Sequence, residues 1–118
     1  MKEERLSQDY LRDILDAIAQ ADEFVKGVEF ENFRQDNKTV FAVVRALEVI
    51  GEAAKKIPDN IKKRFSDIPW RHLTGMRDKL IHDYSGISLG IVWKTVKDDL
   101  PALKPMIIRV LEEIEKEE

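Results

Sequence analysis

The stretch from residue 39 to residue 57, TVFAVVRALEVIGEAAKKI, decides the fold, because its apolar residues recur with the period of a helix and cover more than one face. One face carries Val40, Val43, Val44, Leu47 and Ile50, and the other carries Ala46, Val49, Ala53 and Ile57. A helix that is apolar over so wide an arc is buried from two directions. In a chain of 118 residues we expect the second direction to be another subunit. Gly51 lies on the main apolar face, where glycine costs up to about 1 kcal/mol relative to alanine, so we expect another helix to approach closely there.

Helical periodicity continues on both sides of this segment. Before it, a first helix is predicted from Ser7, a candidate N-cap, to about Lys26, followed by a break at Gly27 and the polar residues 31–38. After it, residues 59–65 predict a short helix or turn.

The second half of the chain carries further helix signals. Pro69 is expected to open a helix that ends at residues 84–86, where Gly75 again suggests a close approach, and Ser88 is expected to cap the next one. Leu100-Pro101 should interrupt or kink the helix that follows. No strand or hairpin pattern is present, so residues 1–118 predict a single all-α domain, an antiparallel bundle of four to five helices.

Composition narrows the possible functions. A hydrophobic content of 43% with 36% charged residues is typical of a globular protein, and no apolar run approaches the roughly 18 residues of a membrane span. The N-terminus is followed by no apolar segment of the secretory type, so we expect a cytoplasmic protein without a membrane partner. The absence of cysteine excludes disulfides, thiolate metal sites and cysteine nucleophiles.

The net charge of −3 argues against nucleic-acid binding by the surface as a whole, because such binding depends on Lys and Arg neutralising phosphates. A local basic site is still open to nucleic acid. Basic residues concentrate before the motif described next, and the ordinary interpretation is that they complement helix ends. These residues are Lys55, Lys56, Lys62, Lys63 and Arg64.

The segment MRDKLIHDY, residues 76–84, carries the candidate chemistry. Arg77 falls within an apolar stripe, where a guanidinium is costly unless a partner, a ligand or a second chain neutralises it. His82 follows Asp78 by four residues, so the two side chains can touch, whereas His82 and Arg77 point about 140° apart on an ideal helix. With the phenol of Tyr84, this set suits the handling of a phosphate. The alternatives are a capping or surface histidine and an arginine that is only an ion-pair partner.

The motif resembles the R-x4-H-x-Y signature of the HepT-type toxins of the HEPN superfamily, which Arg77, His82 and Tyr84 meet. Further phrases similar to this family extend the resemblance over roughly residues 6–112. They are RALEVIGEA at 45–53, Pro69-Trp70, Gly75-Met76-Arg77, Val92-Trp93 and Asp99-Leu100-Pro101. The resemblance implies a helical bundle that dimerises and brings two motifs together in a cleft. It also implies a metal-independent ribonuclease toxin, silenced when an MntA-type minimal nucleotidyltransferase adenylylates the motif tyrosine, here Tyr84.

On this hypothesis His82 acts as general base or general acid on RNA, and Arg77 neutralises the charge that develops on the phosphate. Asp78 is expected to fix the histidine tautomer, and Tyr84 to position the phosphate.

Arg45, Glu48 and Glu52 form a polar strip of helical neighbours, which is either a support for the site or a solvated face. The alternative functions are a non-catalytic dimeric module that binds a nucleotide or docks a nucleotidyltransferase, and a helical adaptor without a site. No metal or other cofactor is expected, because His72 and His82 lie ten residues apart, outside metal-ligand spacing.

Overall fold

The computed structural model describes residues 2–82 and 88–117, and every regular element in these two ranges is helical. The elements are α1 (Lys2–Val25), α2 (Phe30–Phe33), α3 (Asn37–Lys55), α4 (Asp59–Arg64), α5 (Trp70–His82), α6 (Leu89–Lys94), a π-helical segment (Thr95–Asp99) and α7 (Leu100–Lys116). The all-α prediction is confirmed, and α1, α3, α5 and α7 are the long helices. The predicted helix end at residues 84–86 lies outside the described residues.

Helix α3 lies at the centre of the fold, between α1 and α5. Lys56, directly after α3, lies over the ring of Tyr10 near the start of α1, with 5.6 Å between its Nζ and the ring centroid. Because an eleven-residue connection joins the end of α1 to the start of α3, this contact shows that α1 and α3 run antiparallel.

Both faces of α3 are buried within this one chain, which corrects the expectation that the second face needs another subunit. Val43 and Ile50 of one face and Ala46 and Ala53 of the other are each at most 5% exposed. The two directions of burial are α1 and α5. The apolar arc of α3 therefore gives no argument for a dimer.

Two predicted helix starts are wrong. Ser7 is no N-cap, because α1 already begins at Lys2 and Ser7 is buried inside it. Helix α3 begins at Asn37 rather than residue 39, because the Asp36 carboxylate accepts hydrogen bonds from the backbone N–H (3.3 Å) and the hydroxyl (2.6 Å) of Thr39. These bonds, the hydroxyl's above all, lower the pKa of Asp36. The Ser88 cap is confirmed, since its Oγ accepts a hydrogen bond from the Gly90 N–H at 3.1 Å.

The interruption or kink expected at Leu100-Pro101 takes the form of a change in the hydrogen-bond pattern directly before Leu100, and the helix does not end there. Helix α6 runs into the π-helical segment, in which the Leu100 N–H bonds to the Thr95 carbonyl five residues earlier, and α7 starts immediately at Leu100. Pro101 is accommodated because it lies in the first turn of α7, where its missing N–H costs little.

An aromatic contact joins α2 to α6. Trp93 of α6 packs against the rings of Phe30 and Phe33, with centroid distances of 5.8 and 4.9 Å. Within residues 2–82 and 88–117, none of the helices has the length and apolar content that crossing a membrane requires.

Candidate functional site

Helix α5, which carries the motif, is fixed at its first turn. The Pro69 carbonyl accepts the hydrogen bond of the Leu73 N–H at 3.1 Å, so Pro69 immediately precedes the helix, as predicted. Trp70 is buried, and its indole N–H donates to the Phe65 carbonyl at 3.1 Å. This anchor sets the rotation of α5 and hence the directions of the motif side chains.

Gly51 is the point at which α3 and α5 meet most closely. A β-carbon placed on Gly51 would lie 2.2 Å from Cβ of Arg77 and 2.7 Å from the Leu73 carbonyl oxygen. Only a residue without a side chain leaves room for this contact, so the close approach predicted at Gly51 is confirmed. The contact clamps the aliphatic stem of Arg77 against the backbone of α3.

The guanidinium of Arg77 is only partly neutralised. The side chain is 21% exposed, and its Nη1 donates to Oδ1 of Asp78 at 2.9 Å. Its Nε is buried and has no hydrogen-bond partner among residues 2–82 and 88–117. An unsatisfied buried N–H costs free energy, and an anion that reaches this face of Arg77 would remove that cost.

Asp78 is held by Arg77 rather than by His82. Among the described residues, neither a hydrogen bond nor an ion pair joins Asp78 to His82, so the expected bond that fixes the histidine tautomer is not formed here. The hydrogen bond from Arg77 lowers the pKa of the Asp78 carboxyl, against a smaller opposing effect of desolvation, and the charges of Lys55, Arg77 and His82 lower it further.

Lys55 belongs to this group of charges, although its position in the sequence suggests only a helix end. The signal for it is its spacing from Gly51: four residues place both on one face of α3, and Gly51 faces α5. The charges of Lys55, Arg77 and His82 thus all act on the single carboxylate of Asp78.

His82 is exposed and is the last residue of α5. Helical geometry is therefore kept from Arg77 to His82, and the two side chains diverge: Arg77 lies against α3, and His82 points to solvent. A single chain does not bring them to one point. Tyr84 lies outside the described residues.

The polar strip of α3 is a set of ion pairs on the surface. Nη1 of Arg45 lies 3.3 Å from Glu48 and 3.8 Å from Glu52, and the Arg45 side chain is 64% exposed. Among the described residues no hydrogen bond or ion pair links this strip to Arg77, Asp78 or His82. The three side chains are neighbours, as predicted, and the exposure of Arg45 fits the interpretation of the strip as a solvated face.

The close approach expected at Gly75 is not found among the described residues, none of which has an atom within 4 Å of a β-carbon placed there. Gly75 instead lines an open cavity of about 580 Å³ beside Met76 and Ile91. Among the described residues, no three His, Asp or Glu side chains are grouped so that they could hold a metal ion.

Comparison with known proteins gives the family. The family model described as "Ribonuclease HepT-like" matches residues 14–110. A protein of Thermococcus cleftensis named "Probable ribonuclease HepT" is 53% identical over 100 residues, which cover 85% of this chain and 91% of that protein. A "Putative RNase" of Methanocaldococcus jannaschii is 43% identical over 106 residues, 90% of this chain and 88% of the relative. No solved structure gives a significant match. The resemblance to this family is thereby confirmed, and this chain belongs to the ribonuclease HepT-like family of the HEPN superfamily.

Proposed function

We propose that this protein is a metal-independent endoribonuclease, the toxin of a HepT/MntA-type toxin–antitoxin system, built as a single HEPN-like domain over residues 1–118. It acts on RNA in the cytoplasm, at a site formed between two copies of the chain. A cognate minimal nucleotidyltransferase silences it by adenylylating Tyr84. Family membership supports the ribonuclease class, and the arrangement around Arg77 supports the position of the site.

The observation that carries the proposal is the state of Arg77. Its stem is clamped at Gly51, its Nε has no partner in the described part of the chain, and its tip is held by the half-exposed Asp78. A phosphate can displace the Asp78 carboxylate and accept two hydrogen bonds from the planar guanidinium of Arg77, one of them from the Nε–H. Asp78 then acts as the resting counter-ion of the site, a role that replaces the predicted one of fixing His82.

The reaction follows from these side chains. His82 takes the proton from a ribose 2′-OH, whose oxygen attacks the adjacent phosphorus, or it gives a proton to the departing 5′-oxygen. Arg77 stabilises the additional negative charge on the pentavalent phosphorus, where placed cations contribute several kcal/mol. The P–O5′ bond breaks, and the products are a 2′,3′-cyclic phosphate and a free 5′-OH.

A second copy of the chain would solve the divergence of Arg77 and His82. Because the two side chains of one helix point about 140° apart, His82 of one protomer meets Arg77 of its partner more readily than its own. Exposed apolar side chains suited to such pairing lie on and beside α5. Ile81 of α5 is 44% exposed, and Ile91, which lines the open space at Gly75, is 53% exposed. This surface replaces the second face of α3 as the argument for a homodimer.

Substitution of Ile91 tests the dimer. We expect the wild-type protein to show the mass of a dimer by light scattering at micromolar concentration, and Ile91→Glu to show that of a monomer, because a buried unpaired carboxylate is costly. The matched control is Leu6→Glu, a 49% exposed leucine on α1, which should remain dimeric. A wild-type protein that is monomeric under these conditions contradicts the composite site.

Adenylylation would act through charge and bulk. A nucleotide on the Tyr84 hydroxyl adds a phosphate next to the cations that are meant for the substrate, and like charges then repel RNA. Tyr84→Phe removes the acceptor hydroxyl and keeps the ring.

The test of the activity class is cleavage of RNA without a divalent metal. We expect unmodified protein in excess EDTA to cut RNA and to leave a 2′,3′-cyclic phosphate, which mass spectrometry of the fragments identifies. Activity lost in EDTA and restored by magnesium would instead indicate metal-assisted hydrolysis. Unmodified protein that leaves RNA intact and still binds a nucleotide or a nucleotidyltransferase would be the non-catalytic HEPN module.

A further inference from the structure

A basic depression lies between α4 and the first turns of α5, at the end of α5 opposite to His82. It has a volume of about 520 Å³, and Lys62, Lys63, Arg71 and Asp59 are among the residues that line it. We call it the basic depression. None of the described motif residues, 76–82, lines it.

The cations of the basic depression have no ion-pair partner among the described residues. Nearby charges of the same segment are already paired: Arg64 with Glu117, and Asp67 with Arg109 at 2.9 Å. Lys62, Lys63 and Arg71 are therefore balanced only by the carboxylate of Asp59 on the rim. Because the chain as a whole has a net charge of −3, this excess of positive charge is local to the basic depression and is not a general property of the surface.

The geometry of α5 connects the basic depression to the candidate active site. Arg71, Gly75, Asp78 and His82 follow one another at intervals of four, three and four residues, which places them on one face of the helix. No atom of the described residues lies within 4 Å of a β-carbon placed on Gly75, so among them this face has free space along its middle. From Arg71 to His82 the helix rises by about 16 Å, which is longer than a single nucleotide.

We propose that the basic depression binds the sugar–phosphate backbone of single-stranded RNA several nucleotides away from the bond that is cut. Lys62, Lys63 and Arg71 contact phosphates there, and the strand continues along α5 through the cleft between the two protomers to His82. This inference rests on the proposed function and names a substrate class: single strands long enough to reach both ends of α5. Exposed His72, also on the rim, offers a ring for stacking of one base.

The experiment uses a fluorescent twelve-nucleotide RNA with 2′-O-methyl groups, which binds but cannot be cut because the attacking hydroxyl is blocked. Its affinity is measured by anisotropy at several salt concentrations for the wild type and for Lys62→Gln/Lys63→Gln. Each phosphate contact on a single strand contributes about 0.7 to the slope of log K against log salt. We therefore expect the slope to fall by about 1.4 and the affinity at 0.1 M salt to fall about 25-fold.

The matched control is Lys26→Gln/Lys38→Gln, which removes two exposed lysines beside the start of α3, whereas α4 follows its end. This variant should keep the wild-type slope. A dinucleotide, too short to reach the basic depression from His82, should bind wild type and Lys62→Gln/Lys63→Gln equally.

The outcomes separate the two proposals. Wild-type affinity and slope in Lys62→Gln/Lys63→Gln, or an equal loss in the control variant, would overturn the role of the basic depression while leaving cleavage untouched. Lysine-dependent binding of the twelve-nucleotide probe, together with no cleavage of ordinary RNA, would instead overturn the proposed function and keep the RNA-binding surface.

Discussion

Replacing His82 by alanine should lower the rate of RNA cleavage by a factor of about 10²–10⁴, the contribution typical of a general acid or base. His82 is exposed at the end of α5, so its removal leaves no cavity, and the folded dimer should persist. Single-turnover cleavage of a defined RNA measures the loss directly, and the thermal unfolding midpoint checks the fold. A variant that cuts RNA within threefold of the wild-type rate would remove His82 from the mechanism.

Arg77 should behave differently under conservative substitution. Arg77→Ala should lower cleavage by about 10²–10³, as loss of one charge-stabilising donor does in comparable sites. Arg77→Lys should restore little, because a lysine cannot present two parallel N–H groups to a phosphate. Asp78→Asn tests the neighbouring residue. Because Asp78 competes with the phosphate for Arg77, removing its charge should leave the rate of cleavage intact or tighten RNA binding.

The history of the sample decides whether these measurements are meaningful. Protein produced together with a nucleotidyltransferase could carry a modified Tyr84 and show no activity for that reason alone. Intact-mass measurement before each assay identifies the unmodified chain. Tyr84→Phe made beside the antitoxin should show no added mass, whereas the wild type should gain adenylyl groups.

Gly51→Ala should lower the free energy of unfolding by about 1–3 kcal/mol, the usual cost of overpacking, despite a gain of up to about 1 kcal/mol in helix propensity. The new methyl group would overlap Cβ of Arg77 and the Leu73 carbonyl, so α3 and α5 must separate. Urea denaturation at fixed protein concentration measures the change. Cleavage should fall as well, because the clamp that positions Arg77 is lost.

Gly75→Ala is the control for that substitution, since it is the same change in the neighbouring helix. A β-carbon at Gly75 meets nothing within 4 Å, so only the propensity remains and the free energy of unfolding should rise by up to about 1 kcal/mol. If both variants lose stability equally, the contact at Gly51 is not what makes glycine necessary there.

Local periodicity predicted most of the fold, and each of its failures has a physical cause. The pattern at residues 39–57 correctly indicates a helix buried on two faces, but periodicity carries no information on which element covers the second face. The structure puts α1 there, since Ala46 and Val49 line one cavity together with Ala17 of α1, whereas Gly51 on the first face meets α5. The Asp36 cap was not predicted, because the helix starts two residues before its apolar pattern does. The form of the irregularity at Leu100-Pro101 was not predicted either, because the apolar pattern does not reveal the π-helical turn that precedes it.

The candidate site was predictable in its residue types but not in its contacts. The sequence identifies Arg77 as a cation in apolar surroundings, and its tight packing against Gly51 fits that interpretation. The partner of Asp78 was not predictable. Arg77, one residue before it, and His82, four residues after it, compete for the same carboxylate, and side-chain rotamers decide between them. The nearness of Lys55 required knowledge of how α3 crosses α5.

The π-helical segment between α6 and α7 has a consequence for how length changes propagate through this protein. Deletion of one residue between Thr95 and Asp99 would let the wide turn close into a regular α-helix, because a turn closed by i→i−5 hydrogen bonds holds about one residue more than an α-helical turn. The phase of α6 relative to α7 would be nearly kept, so Trp93 would stay on the rings of Phe30 and Phe33. Deletion of one residue from the regular turns of α6 would instead rotate the residues before it by about 100°, and Ile91 would turn away from the cavity beside α5. The wide turn is therefore a point at which the chain can lose a residue without reshaping the surface next to the site.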